Sequence, residues 1–115
     1  MAFPGTYNFN YYRGDTAEFI IRPKSSNGTA MPLTGYTAEF IIANKRGASG
    51  TQYEAQAVVN TVDSIVTCTI LPGVGRTLAP GTYVYDVQIT SGASVIYTLL
   101  TGTITVTDDV TGALP

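Results

Sequence analysis

A six-residue sequence occurs twice in the first half of the chain and constrains the fold more than any other feature. Thr-Ala-Glu-Phe-Ile-Ile spans residues 16–21 and recurs unchanged at 37–42. In each copy polar residues alternate with Ala and Phe before β-branched Ile, which is typical of a β-strand. Because side chains along a strand alternate between its faces, the Ala, the Phe and the second Ile of each copy share one face. Convergence on one core pattern and a true duplication both explain the repeat, and both predict a β-protein.

Further strand-like stretches follow the repeat, each bounded by turn residues. Thr6–Tyr12 alternates aromatic and amide side chains and predicts a first strand with Tyr7, Phe9 and Tyr11 facing the core. The remaining strands are expected at Thr51–Val59, Ser64–Leu71, Thr82–Thr90 and Ser94–Val106. The last of these can be one long strand or two strands broken at Gly102. Residues 72–80 lack strand alternation and can hold a single helical turn.

Tyr83, just after Pro80-Gly81, resembles the tyrosine corner of immunoglobulin-like sandwiches. The spacing of strands and turns, without an amphipathic helix, is typical of an all-β protein. It predicts an antiparallel immunoglobulin-like β-sandwich of about seven strands.

The 115 residues have room for one domain, expected to be a single β-sandwich over residues 1–115 with a short N-terminal arm and a tail from 108 to 115. The formal net charge is −2 and the six basic residues are scattered, so nucleic acid is not an expected partner. The N-terminus has no signal-peptide pattern and no stretch has the apolar length of a membrane span. We expect synthesis in the cytoplasm and no membrane partner.

The residue types needed for common catalytic and metal sites are scarce. The chain has no His and a single Cys, Cys68, so a serine triad lacks its base and a zinc site lacks its ligands. Cys68 shares a predicted strand face with Val66 and Ile70, which predicts a buried, inert thiol. We therefore expect no enzymatic activity, no cofactor, no metal and no small-molecule substrate.

Two short motifs have a turn interpretation beside a functional one. Arg13-Gly14-Asp15 spells the integrin-adhesion tripeptide but lies at a strand junction, where Gly and Asp form a turn. Asn27-Gly28-Thr29 is a glycosylation sequon, and Asn-Gly also favours a turn. The turn interpretation is preferred at both places.

Several motifs, taken in order from about Tyr11 to Thr111, resemble the phage family typified by the N-terminal domain of baseplate upper proteins. The residues that carry this resemblance are Arg13-Gly14-Asp15-Thr16, Leu33-Thr34-Gly35-Tyr36-Thr37-Ala38, Pro80-Gly81-Thr82-Tyr83-Val84-Tyr85-Asp86-Val87-Gln88, and Thr98 to Val106 followed by Asp108-Asp109-Val110-Thr111. The resemblance implies an immunoglobulin-like sandwich used as a non-enzymatic virion building block, often mounting fibres or receptor-binding proteins on a tail. It implies other virion structural proteins as partners, a multicopy symmetric assembly, and location in the virion.

Three functional hypotheses follow. The resemblance favours a tail, baseplate, neck or fibre-attachment accessory subunit. The chain departs from the multidomain members of that family by stopping at Pro115 without a helical linker or fibre segment, which admits a small standalone accessory protein. A capsid decoration (cement) protein is the first alternative. A carbohydrate-binding or adhesin module is the second, but it would need aromatic rings in loops, and the loops at 25–31, 45–50 and 72–80 have no Trp, Tyr or Phe.

Residues for partner contacts are predicted on the first strand, in one loop and in the terminal arms. Tyr12 lies opposite the core face of the first strand, where it either contacts a partner or covers the edge of the sandwich. The full set of predicted contact residues is Phe3, Tyr12, Arg13, Arg46, Asp108, Asp109 and Leu114.

Overall fold

The fold is built almost entirely of β-strands. The computed structural model describes residues 5–24, 28–45 and 52–107. The strands are β1 (Gly5–Thr6), β2 (Phe9–Tyr12), β3 (Ala17–Ile21), β4 (Thr37–Ala43), β5 (Gln52–Asn60), β6 (Ile65–Ile70), β7 (Gly81–Thr90) and β8 (Ile96–Thr107). One four-residue helix, α1 (Pro72–Gly75), lies between β6 and β7. The prediction of an all-β protein is confirmed.

The strands form one mixed sheet in the order β1-β8-β7-β4-β5-β6-β3, with β2 also paired to β8. β1 and β2 run parallel to β8, whereas the other pairings are antiparallel. The prediction of a wholly antiparallel arrangement is therefore wrong. A short turn forces its two flanking strands to be antiparallel, but β1 and β2 are far from β8 in sequence, so their direction is free of that constraint.

The long strand β5 pairs with a different neighbour along each half of its length. Residues 52–55 pair with β4, and residues 56–60 pair with β6. The sheet curls, so that its last strand, β3, comes opposite β4, and the rings of Phe19 and Phe40 lie 5.5 Å apart. The two copies of the repeat thus face each other, and the prediction that both line one core is confirmed.

The core lies inside this curl. Phe40 and Ile42 of the second copy are fully buried, whereas Phe19 and Ile21 of the first copy are partly buried. Among the described residues, the other fully buried large side chains are Pro23, Leu33, Val66, Cys68, Ile70, Leu78, Tyr85, Val87, Ile89 and Ile104. The predicted burial of Cys68 and the predicted helical turn within 72–80 are both confirmed.

The predicted first strand, Thr6–Tyr12, is broken where it crosses Gly102 of β8. The Tyr7 carbonyl lies so close to Gly102 that a Cβ atom there would overlap it. That carbonyl accepts a hydrogen bond from the Tyr85 hydroxyl at 2.6 Å, and the Asn8 side-chain oxygen accepts one from the Thr103 amide at 2.9 Å. Side chains therefore supply bonds that a continuous ladder would have made.

This break moves Tyr7 from its predicted place in the core to the rim. The Tyr7 side chain is 46% exposed, although its ring lies 5.3 Å from that of Phe9 and 5.8 Å from that of Phe19. Tyr11 is buried as predicted, and Phe9 is partly buried. Strand alternation places these three residues on one face only if the strand is continuous.

Phe40→Ala should lower the free energy of unfolding by about 3 to 5 kcal/mol, because a fully buried ring leaves a cavity. Phe19→Ala should cost less, since that ring is partly buried, but more than about 1 kcal/mol. Urea denaturation followed by circular dichroism measures both, and Val62→Ala, at a side chain 90% exposed, is the control. A loss below about 1 kcal/mol at either Phe would contradict the shared core.

Gly102→Ala should destabilise the fold by more than about 1 kcal/mol, because the added methyl meets the backbone of Tyr7 and not a side chain that can rotate away. Gly92→Ala is the matched control, since a Cβ at that position meets no atom within 4 Å. Thermal denaturation of the two variants makes the comparison. Equal stability of both would show that β1 and β2 are not held against β8 at this crossing.

Candidate protein interaction surface

An apolar row crosses the outer face of β3, β6 and β5. Ile20 is paired with Thr67, and Thr67 is paired with Val58 on its other side. The Ile20 side chain is 43% exposed and that of Val58 is 51% exposed. We call Ile20, Thr67 and Val58 the apolar row. Because paired residues on one face touch across a sheet, these three side chains present a continuous surface.

Two further aliphatic side chains are exposed just beyond the ends of β6. Leu71, just after β6, is 45% exposed, and Val62, in the turn before it, is 90% exposed. The Asn60 side-chain oxygen accepts hydrogen bonds from the amides of Val62 and Asp63, both at 3.0 Å. This side-chain turn closes the β5–β6 hairpin and leaves Val62 at its tip.

Beside the apolar row runs an open sheet edge. β3 is the terminal strand of the sheet and pairs only with β6 among the described strands. The free side of such a strand presents backbone groups to which another strand can pair. Glu18 and Arg22 lie on either side of Ile20 along this edge, and both are exposed.

Tyr12 and Arg13 are the two predicted contact residues within the described ranges, and they differ in environment. Tyr12 is 57% exposed on β2, next to the buried Tyr11. The Arg13 side chain instead donates to the Leu78 carbonyl at 3.0 Å and to the Arg76 carbonyl at 2.7 Å. Tyr12 is therefore available on the surface, whereas Arg13 ties the end of β2 to the loop after α1.

The turn at Arg13-Gly14-Asp15 is part of the same tie. The Asp15 amide donates to the Tyr12 carbonyl at 3.0 Å, Gly14 has a φ of 90°, and the Tyr11 hydroxyl donates to the Asp15 carbonyl at 2.6 Å. The turn interpretation of this tripeptide is confirmed. Since the guanidinium is held by backbone carbonyls, the tripeptide is not displayed at a free loop tip.

A groove of about 210 Å³ lies on another part of the sheet, over the outward face of β4 and β7. Carboxylates and amides predominate among the polar residues around it. Its lining residues are Glu39, Ile41, Ala43, Lys45, Gln52, Val84, Tyr85, Asp86 and Gln88. Such a surface can donate hydrogen bonds to hydroxyl groups and accept hydrogen bonds from them.

The described residues offer little for covalent or metal chemistry. Burial raises the pKa of the Cys68 thiol to about 12, so the reactive thiolate is rare at neutral pH. In the described ranges no group of three or more His, Cys, Asp or Glu side chains is placed to hold a metal ion. The only helix described there, α1, is also far too short to cross a bilayer.

Comparisons with known proteins find structural similarity alone. No family model and no curated protein matches the chain. The Listeria monocytogenes internalin-like protein lmo2027 is similar over 92% of this chain and 28% of its own length, with a TM-score of 0.46 and 14% identity. A family 123 glycoside hydrolase from Clostridium perfringens is similar over 92% of this chain and 23% of its own length, with a TM-score of 0.43 and 14% identity. The chain thus spans less than a third of either protein, and these similarities carry no functional argument.

The other predicted contact residues lie outside the described residues. They are Phe3, Arg46, Asp108, Asp109 and Leu114.

Sequence reasoning missed the apolar row as a surface, although the signal was present. Ile20 stands at an outward position of a strand whose other outward residue is Glu18, so it breaks the polar side of the alternation.

Arg13→Ala should destabilise the fold by about 1 to 3 kcal/mol, because it removes two charge-assisted hydrogen bonds to backbone carbonyls. Arg13→Lys should recover only part of this loss, since a lysine lacks the planar fork. Lys24→Ala, at an exposed basic residue, is the control and should change stability by less than about 0.5 kcal/mol. If urea denaturation gave equal stabilities for Arg13→Ala and Lys24→Ala, Arg13 would be a surface residue with no role in the fold.

Proposed function

We propose that this protein is a non-enzymatic structural subunit of a bacteriophage virion, acting through protein–protein contacts as a tail, baseplate, neck or fibre-attachment component. The observation that carries the proposal is the apolar row, in which the exposed Ile20 and Val58 flank the half-buried Thr67, beside the open edge of β3. Exposed aliphatic side chains grouped on one face are typical of interaction sites, and an open edge adds backbone pairing. The sequence resemblance to the baseplate upper protein family supplies the viral context.

The strand order supports a finer description of the fold as immunoglobulin-like. In such domains strands C, F and G form one sheet, and strands B, E and D form the other. β4, β7 and β8 follow the order of C, F and G, while β3, β6 and the second half of β5 follow B, E and D. We infer that the curled sheet is an immunoglobulin-like sandwich whose two layers are joined through β5.

A hydrogen bond at the start of β7 supports the same inference. The Tyr83 hydroxyl donates to the Ala79 carbonyl at 2.9 Å. This is the geometry of a tyrosine corner, in which a Tyr near the start of strand F bonds to backbone a few residues upstream. Folds of this kind serve many functions, so the fold supports a scaffold role without specifying it.

The outer surface suits a subunit that is held by neighbours on one side. Ile20, Val58, Val62 and Leu71 are all exposed around the β3–β6–β5 face. Burial of such side chains is worth about 25 cal/mol per Å² of apolar area, so a partner covering this face gains favourable free energy. A capsid decoration protein would use the same kind of surface, so the capsid remains the alternative location within the virion.

A glycan-binding module is the candidate of a different class. The groove over β4 and β7 favours it, because the exposed Glu39 and Gln52 offer hydrogen-bonding groups to sugar hydroxyls. Its lining includes one aromatic residue, Tyr85, whose side chain is 1% exposed and so offers no open ring for stacking. A glycan array probed with the intact chain tests this candidate directly.

The copy number of this chain in purified particles of the phage that encodes it tests the viral proposal. Quantitative mass spectrometry against the major capsid protein should give on the order of six to eighteen copies for a tail, neck or baseplate subunit. Hundreds of copies would instead indicate capsid decoration. Absence from washed particles, with the major capsid protein detected in the same sample, would overturn the virion role.

A further inference from the structure

We propose that two copies of this chain pair through the edge of β3, antiparallel and about a two-fold axis at Ile20. This inference rests on the proposed function as an assembly subunit and names a partner for the same surface. β3 is the terminal strand of the sheet, with β6 as its neighbour among the described strands. A second copy of β3 would continue the ladder on the open side.

In this register, the charged residues on and just after β3 are complementary to the same residues of the second copy. In an antiparallel pair centred on Ile20, Glu18 of one copy lies opposite Arg22 of the other, and the two-fold axis repeats this pair. Ile20 lies opposite Ile20. All three side chains are exposed, Ile20 by 43%. Opposite charges and β-branched residues directly across a ladder are stabilising combinations.

Neighbouring registers are less favourable. A two-fold axis perpendicular to the sheet places outward-facing residues of one copy opposite outward-facing residues of the other. The axis must therefore pass beside a residue, and alternative registers place it beside a different residue of the strand. Centring the pair on Glu18 or on Arg22 places like charges opposite each other. Centring it on Ile21 brings Pro23, which has no amide hydrogen, opposite Phe19. The Ile21 centre also places Glu18 opposite Lys24, and the Phe19 centre gives no ion pair. Only the register centred on Ile20 combines two ion pairs with a ladder from Glu18 to Arg22 that no proline interrupts.

The inner side of the same edge is also suited to a second copy. Phe19 and Ile21 are partly buried, and in this register each lies opposite the other. The ring of Tyr7, 46% exposed, packs 5.8 Å from that of Phe19 at the open side of the core. A paired copy would therefore cover apolar surface on both faces of β3.

The second copy of the repeat, in β4, supports the pairing of β3 because it differs from the first copy in its neighbours and in one charged residue. β4 carries the same Glu-Phe-Ile-Ile residues but is paired on both sides, with β5 and β7. The position equivalent to Arg22 is Ala43. The arginine that completes the self-complementary pattern is thus present only in the copy that lies at an edge.

Disulfide trapping with the full chain tests the pairing even if association is weak. Ile20→Cys places two thiols opposite each other on the axis, and we expect covalent dimer to form about tenfold faster than for Val58→Cys. Val58 is the matched control, since it lies in the same row and is 51% exposed. Cys68 is fully buried and does not compete. Equal rates for the two variants would overturn the proposal.

A charge swap in the Ile20→Cys background tests the register. Glu18→Arg and Arg22→Glu should each slow dimer formation by about tenfold, because each places like charges opposite each other twice. Mixing these two variants should restore a fast, mixed dimer, since every pair is then opposite in charge. Rates that do not respond to the swaps would overturn the Ile20 register.

The two proposals fail separately. Particles that contain the chain, together with equal trapping rates for Ile20→Cys and Val58→Cys, would overturn edge pairing and leave the virion role. Fast, charge-dependent trapping of a chain absent from particles would do the reverse. Circular dichroism of each variant confirms that slow trapping does not arise from loss of fold.

Discussion

Packing of aromatic rings closes the curled sheet, and the rest of the structure depends on it. Strands β2 and β3 lie at opposite ends of the sheet and share no ladder. Phe9 of β2 and Phe19 of β3 nevertheless have ring centroids 5.6 Å apart, and Phe40 and Tyr85 complete the cluster. The turn at 13–16 joins these two strands along the chain, and hydrophobic burial and ring packing, not a ladder of backbone hydrogen bonds, hold their side chains together. This manner of closure leaves the backbone on the outer side of β3 unpaired among the described strands.

Side-chain faces were predictable from the sequence, whereas strand neighbours were not. Alternation correctly placed Phe19 and Phe40 in one core, because the period of two is local. It could not reveal that β1 and β2 run parallel to β8, since direction depends on contacts between the two ends of the chain. The break at Tyr7 depends on a close approach to Gly102, and a glycine in a strand indicates such an approach without naming what approaches.

The candidate surface was predictable only in part for a related reason. Tyr12 was placed correctly as an outward side chain, but the structure ties Arg13 to carbonyl groups more than sixty residues away in sequence. The apolar row needs three strands in register before Ile20 and Val58 become neighbours of Thr67. A local pattern shows that Ile20 points outward, and only the register shows that another exposed aliphatic residue stands in line with it.

Exposed β-branched residues on an edge strand are a hazard, and the charges beside them bear on what that edge can bind. An open apolar edge invites pairing with any strand, and charged residues along the edge are the usual protection against it. Glu18 and Arg22 flank Ile20 in this way. Pairing with a strand that lacks complementary charges would place Glu18 and Arg22 opposite uncharged or like-charged residues, which disfavours that pairing. A second copy of β3 satisfies both at once. The same two side chains can therefore suppress indiscriminate association and favour one partner, which is the combination that an ordered, multicopy assembly requires.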